Sequence, residues 1–166
     1  MKIAKITLFV VSILALGVFL LVNQMTPNPG TSSGNGNPAL LIAWILIPLL
    51  IFMVILWVRI FRVHSISTTI FIISIFGILV HLTVAFFYQK NALNEYRQVI
   101  QDALIKKYSV ADEEYIQRIT SGLSFHVNNQ FFNIYTYFMF LTFSIFVAII
   151  YIFWDDWEKK KESVSK

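Results

Sequence analysis

Residues 39–58 read ALLIAWILIPLLIFMVILWV, a run of twenty residues without a single charge. As an α-helix this run would be about 30 Å long, which matches the thickness of the hydrocarbon core of a bilayer. The run therefore predicts a helix that crosses a membrane. Asn37 and Pro38 precede it, and these residue types suit the cap and the first position of a helix. Pro48 predicts a kink, because proline removes one backbone hydrogen bond.

Three further apolar runs flank this one, at residues 6–22, 68–88 and 131–154. The first run follows Lys2 and Lys5, so it also fits a secretory signal peptide, although no small-x-small cleavage site follows it. We therefore expect a retained signal-anchor helix. Only 13% of the residues are charged, which agrees with four buried spans. The sequence predicts an all-α, polytopic membrane protein with four transmembrane helices, in a single membrane domain over residues 1–166.

The basic residues predict the orientation of the spans. They lie at the ends of the apolar runs and not in a patch with interleaved aromatic residues, so the net charge of +4 does not indicate a nucleic-acid partner. With both termini cytoplasmic, eight basic residues lie inside and five outside, as the positive-inside rule prefers. The anchors of this topology are Lys2, Lys5, Arg59, Arg62, Lys159, Lys160 and Lys161. Residues 23–38 and 89–130 are then extracytoplasmic segments of a cell-membrane protein, and the short tail 155–166 is cytoplasmic.

The segment 89–130 predicts a helical hairpin between the third and fourth spans. Apolar residues recur in it at spacings of three and four, at Leu93, Tyr96, Ile100 and Leu104. No helix breaker follows Tyr88, so this amphipathic helix can continue the third span. Ser109, with Asp112 three positions later, predicts the start of a second helix, and Gly122 predicts its end. Such a hairpin caps the bundle or docks a partner, and the two roles are compatible.

His81 is the one ionisable residue inside a span, and such residues are candidates for function. It belongs to a small or polar stripe on the third span, and a similar patch lies on the fourth. The stripe and the patch contain Ser74, Gly77, His81 and Ala85, and Ser144 and Ala148, respectively. Small residues favour close packing of membrane helices. His81 is either a neutral residue bonded to a neighbouring hydroxyl or carbonyl, which we favour, or a proton relay or metal ligand.

No motif for catalysis, cofactor binding or metal binding stands out, and the chain has no cysteine. We expect no cofactor and no small-molecule ligand. The layout of the loops resembles that of tetraspanins, but the cysteines of that family's large loop are missing, so no family is assigned. We expect a non-enzymatic accessory, scaffold or regulatory subunit in the lipid bilayer that binds another membrane protein or itself. The alternatives are an oligomeric transport or pore-forming protein, and an enzyme that uses His126, Asn128 and Asn129.

Overall fold

The computed structural model describes residues 2–31, 36–64 and 66–164, and every regular element in these ranges is helical. The helices are α1 Lys2–Gln24, α2 Ala39–Ala43, α3 Leu46–His64, α4 Thr68–Tyr108, α5 Glu113–Ile119, α6 Asn128–Phe131 and α7 Ile134–Val164, with a 3₁₀ helix at Phe125–Val127. The tip of the predicted loop 23–38 and the basic residue Lys166 lie outside the described residues.

Four segments are long and apolar enough to cross a membrane, namely α1, α2 together with α3, α4, and α7. The prediction of an all-α protein with four spans is therefore confirmed. Each span is longer than its apolar run, because the helices continue into polar residues. The largest difference is in α4, which runs unbroken through Tyr88 to Tyr108. Its 41 residues measure about 60 Å, twice the thickness of the hydrocarbon core.

The second span is interrupted at Trp44 and Ile45, between α2 and α3. The cause is Pro48, which has no amide hydrogen and whose ring collides with the carbonyl group four residues back. That carbonyl belongs to Trp44, and it accepts a hydrogen bond from the amide of Ile47 at 3.2 Å instead. The distortion expected from Pro48 thus lies one turn before the proline.

The first, second and fourth spans form a three-span core. α1 packs on α3, and both pack on α7. The Phe19 ring of α1 lies among the rings of Phe132, Tyr137 and Phe140, with centroid distances between 5.7 and 5.8 Å. Seven residues of α1 are buried. α1 is therefore an integral part of the bundle core.

The third span, α4, lies at the edge of this core. In its most apolar window only 11% of the residues are buried, compared with 33% in α1. α4 packs along α7 through Phe71 and Ile78, and the Phe71 ring meets Phe61 of α3 at 5.5 Å near the chain termini. The opposite face of α4 has no neighbour within the described chain.

Residues 89–133 form a helical cap at the end of the bundle that lies away from the termini. In the cap, Ile116 of α5 packs against Ile100 and Leu104 of α4. Arg97 of α4 also donates a hydrogen bond to the buried Thr120 hydroxyl, with 2.9 Å between Nε and Oγ1. α5 is thus held against the part of α4 that extends beyond the apolar run.

The turn between α4 and α5 differs from the prediction. Ser109 has a left-handed backbone with φ 61° and donates its amide hydrogen to the Ile105 carbonyl, so it closes α4. α5 begins only at Glu113, where the Asp112 side chain accepts from the Glu114 amide at 2.9 Å. The prediction that Ser109 opens the second helix is wrong, because a left-handed residue ends a helix and cannot cap the start of the next.

Candidate functional site

Four asparagine side chains, Asn23, Asn37, Asn128 and Asn133, join the cap to the bundle, and we call them the asparagine cluster. Asn23 is in the last turn of α1. Its Nδ2 donates to the Phe132 carbonyl at 2.8 Å and lies 3.4 Å from the Asn129 carbonyl. The end of α1 is thereby fixed to the short segment between α6 and α7.

Asn37 and Asn128 form a reciprocal pair of side-chain amides. The Nδ2 to Oδ1 distances are 2.7 Å in one direction and 3.2 Å in the other. Asn37 also accepts from the amide of Ala39, the first residue of α2, at 3.2 Å, and it donates to the Leu123 carbonyl at 3.1 Å. Asn128 is only 1% exposed, so its polar atoms depend on this pair.

Asn133 is the most connected member of the asparagine cluster. Its Oδ1 accepts from the amides of Tyr135 and Thr136 at 3.0 and 3.1 Å, which caps the start of α7. The same side chain exchanges hydrogen bonds with Gln89 of α4 at 3.0 and 3.3 Å. Beside this pair, the Tyr88 and Tyr135 rings lie 4.7 Å apart. Asn133 therefore connects α4 to the three-span core at the level where the cap begins.

His126 lies inside the cap, in the 3₁₀ helix Phe125–Val127, and is 3% exposed. Burial lowers its pKa below the ordinary value of 6.5, because removing water disfavours the charged imidazolium. His126 is therefore neutral in the folded cap at neutral pH. The sequence offers a polar cluster for catalysis, namely His126, Asn128 and Asn129. In the structure this cluster belongs to the interior of the cap. The side-chain amide of Asn128 is hydrogen-bonded to Asn37.

The six candidate residues within the spans fall into two groups. Ser144 and Ala148 of α7 are fully buried, and Ser144 donates its hydroxyl hydrogen to the Leu141 carbonyl of its own helix at 2.6 Å. On α4, by contrast, Ser74, His81 and Ala85 are half-buried and Gly77 is exposed. A Cβ atom added at Gly77 would meet nothing within 4 Å. No other helix of the described chain approaches the α4 backbone there.

The His81 side chain has an unsatisfied polar atom. Its Nε2 is shielded, and it makes no hydrogen bond to any residue that the structure describes. Within the same residues, no group of three or more His, Cys, Asp or Glu side chains is arranged to hold a metal ion. An unpaired imidazole nitrogen in a membrane helix is costly, because hydrocarbon offers no hydrogen-bond partner.

The basic anchor residues gather at the end of the bundle opposite the cap. Lys5 Nζ lies 3.3 Å from His64 Nε2, which joins the start of α1 to the end of α3. Arg62 forms an ion pair with Asp155 of α7, and Lys159 bonds to the same carboxylate at 2.7 Å. The other anchors, Lys2, Arg59, Lys160 and Lys161, are exposed at the same ends of these helices. The contacts put both termini on one side of the bundle.

No known protein family, no curated protein and no solved structure matches the chain. The asparagine cluster must therefore be interpreted from its own geometry. Two of its members have a local sequence signal: Asn37 directly precedes Pro38, and Asn133 lies three residues before Thr136, a spacing typical of a helix start. The Asn37–Asn128 pair joins residues that are 91 positions apart, and no local pattern predicts it.

Proposed function

We propose that the protein is a non-enzymatic membrane subunit that binds a second membrane protein, or a second copy of itself, through α4. The observation that carries this proposal is the position of α4 at the edge of the three-span core. Phe76, Val80 and Val84 are exposed on the side of α4 that faces away from α7, and Gly77 lies among them. This surface is hereafter the open face of α4.

The open face has the chemistry of a helix-packing surface. Gly77 allows another backbone to come close, and small residues are enriched where membrane helices meet. His81 follows one turn later, and its Nε2 has no partner within the described residues. If the His81 side chain changes its rotamer, this nitrogen could form a hydrogen bond with a hydroxyl or carbonyl group on a span of the partner protein. A partner protein at the open face would therefore gain both packing and a hydrogen bond.

The cap supports the same proposal from outside the apolar run. Apolar side chains there remain exposed although they lie beyond the predicted span, namely Val99, Ile105, Tyr108 and Val110. Exposed apolar patches on an extramembrane surface are typical of interaction sites. Because the asparagine cluster fixes the cap to the bundle, a partner could contact the open face and the cap at the same time.

A matched pair of glycine variants tests the proposal. At both Gly77 in α4 and Gly17 in α1, an added Cβ atom would meet nothing within 4 Å. We expect Gly77→Leu to abolish the complex recovered in mild detergent and to abolish photo-cross-linking from position 80, whereas Gly17→Leu leaves both intact. Mass spectrometry of the cross-linked product then identifies a second copy or a different protein. A monomeric wild type, or equal effects of the two variants, would refute the proposal.

Transport by an oligomer is the second candidate, and His81 is the observation that favours it. If several copies placed their open faces around a common axis, each would contribute one imidazole to the lining. We would then expect proton flux in liposomes containing the purified protein, and loss of that flux in His81→Phe. A wild-type protein that forms oligomers but carries no flux excludes this candidate and leaves the first one standing.

A further inference from the structure

A cleft opens between α4 and the three-span core at the level of the cap. Two adjoining cavities of about 290 and 510 Å³ share Phe86, Phe131, Thr136 and Met139 in their walls, so they form one continuous space. Phe19 of α1 borders the larger cavity. The cleft exists because α4 follows α7 and does not close against α1. Apart from the end at the cap, its walls consist of apolar side chains and Thr136.

The lining of the cleft becomes polar at the end that meets the cap. Lys90 and Gln130 line the smaller cavity there. Lys90 is the first charged residue after the 22 uncharged residues 68–89, so it stands where the apolar part of α4 ends. It is exposed, and it forms no ion pair with any residue in the described ranges. An apolar cleft therefore leads to one cation that has no ion-pair partner among the described residues, at the point where the uncharged part of α4 ends.

We propose that this cleft binds one anionic phospholipid of the surrounding bilayer, with an acyl chain between α4 and the core and the headgroup phosphate at Lys90. The lining residues from Leu82 to Leu93 of α4 span about 16 Å, which is an appropriate length for part of an acyl chain. The apolar walls suit the methylene groups of the chain, and a basic residue at the interface attracts an anionic headgroup.

The size of the cleft decides between a lipid chain and a helix of another protein. A helix is about 10 Å across, so 16 Å of its length occupies on the order of 1,300 Å³. The two cavities that share this length have volumes of about 290 and about 510 Å³, which together are still well below the volume of such a helix. A transmembrane helix therefore does not fit into the cleft, whereas a single flexible chain does.

This proposal is independent of the proposed function, because it uses a different side of α4. At 100° per residue, Leu82 and Phe86 lie on one side of the helix and Val80 and Val84 lie on the other. A partner at the open face and a lipid in the cleft do not compete for the same residues. The two proposals can consequently fail separately.

The test uses the full-length protein reconstituted in nanodiscs of phosphatidylcholine with a minor fraction of phosphatidylglycerol that carries a photoactivatable acyl chain. After illumination, mass spectrometry locates the cross-linked peptide. We expect one cross-link per chain, centred on Met139–Phe143 of α7. Cross-links scattered evenly over the exposed faces of all four spans would show only bulk solvation, and they would overturn the proposal.

Two pairs of variants separate the roles of the chain and the headgroup. Met139→Trp fills the cleft, and Phe138→Trp places the same ring on a neighbouring, exposed position of α7. We expect the first to abolish the cross-link and the second to retain it. Lys90→Gln should reduce the preference for phosphatidylglycerol over phosphatidylcholine about fivefold, the effect of one basic residue near the surface. Lys106→Gln, an exposed lysine of the same helix, should leave the preference unchanged.

Two results would overturn the proposal, and the first does not depend on whether Met139→Trp folds. One is a Lys90→Gln variant with the same headgroup preference as wild type, since the exposed Lys90 side chain can be changed without disturbing the core. The other is a dimeric wild type that Met139→Trp converts into a monomer, which would assign the cleft to a second copy. Gly77→Leu should leave the lipid cross-link intact, so loss of the protein complex and loss of the lipid remain distinguishable.

Discussion

Replacement of Asn133 should loosen the cap selectively. Asn133→Ala removes the cap of α7, which is worth about 1 kcal/mol. It also leaves the side chain of Gln89 and the carbonyls of Asn129 and Gln130 without their present partner. These lost hydrogen bonds cost about 1–2 kcal/mol more. We therefore expect the free energy of opening the cap to fall by about 2–3 kcal/mol.

Hydrogen exchange in detergent micelles is the assay, because it reports local opening along the chain. A loss of 2–3 kcal/mol corresponds to exchange that is about 30- to 150-fold faster over residues 125–136. Exchange in the buried parts of α1 and α3 should stay as slow as in the wild type. Asn133→Ser retains a capping oxygen but not the pair with Gln89, so its effect should be intermediate.

The matched control is Asn91→Ala, which changes an exposed asparagine of α4 that lies two residues after Gln89. This variant should change the opening free energy by no more than about 0.5 kcal/mol. If Asn133→Ala exchanges no faster than Asn91→Ala, the asparagine cluster does not hold the cap. If exchange instead rises equally in the cap and in the three-span core, the bundle unfolds as one unit and the reasoning about a separable cap is wrong.

Three other predictions concern the rest of the molecule. The lowered pKa of His126 stabilises the cap above pH 6.5, and this stabilisation is lost as the pH falls below that value. Once the exchange rates are corrected for the pH dependence of intrinsic amide exchange, the cap should consequently open more often as the pH falls from about 7.5 to about 5.5, the range in which histidine titrates. His126→Phe should remove this effect. Ala148→Leu inserts a large side chain at a fully buried position of α7 and should destabilise the bundle by about 2 kcal/mol in an SDS titration, whereas Ile150→Leu at an exposed position should not. Because the chain has no cysteine, single cysteines introduced at Glu95 and at Ser163 can map the orientation in the membrane. A membrane-impermeant maleimide added to whole cells should label the cysteine at position 95 and not the one at position 163, and the reverse pattern would contradict the predicted topology.

The sequence predicts the spans well, because a helix that crosses hydrocarbon must satisfy all its backbone groups and is apolar over a fixed length. The continuation of α4 past Tyr88 was predictable for a similar reason, since apolar residues keep their helical spacing there. Pro48 indicates a distortion of the second span, although only the structure shows that it falls at Trp44, where the carbonyl four residues back is displaced.

The arrangement of the spans could not be predicted, because lipid and protein interiors are equally apolar. The stripe that contains Gly77 and His81 has the composition of a packing surface, but the described chain places no helix against Gly77. The asparagine cluster escaped prediction for another reason. Asn23 and Asn37 find their partners roughly a hundred residues later in the chain, and only the tertiary structure brings these polar groups together. The same holds for the cleft, whose walls come from α1, α4, α6 and α7.

The unbroken length of α4 makes it a stiff lever. Gln89, which is bonded to Asn133, lies near the midpoint of the helix, with an arm of about 30 Å on either side. Proline is absent from α4 and its one glycine is Gly77, so no hinge separates the cap arm from the tie at Gln89. A tilt of about 5° about that fulcrum would move each end by about 2.5 Å in opposite directions. A force applied to the cap would thus displace the membrane-spanning part of α4 sideways.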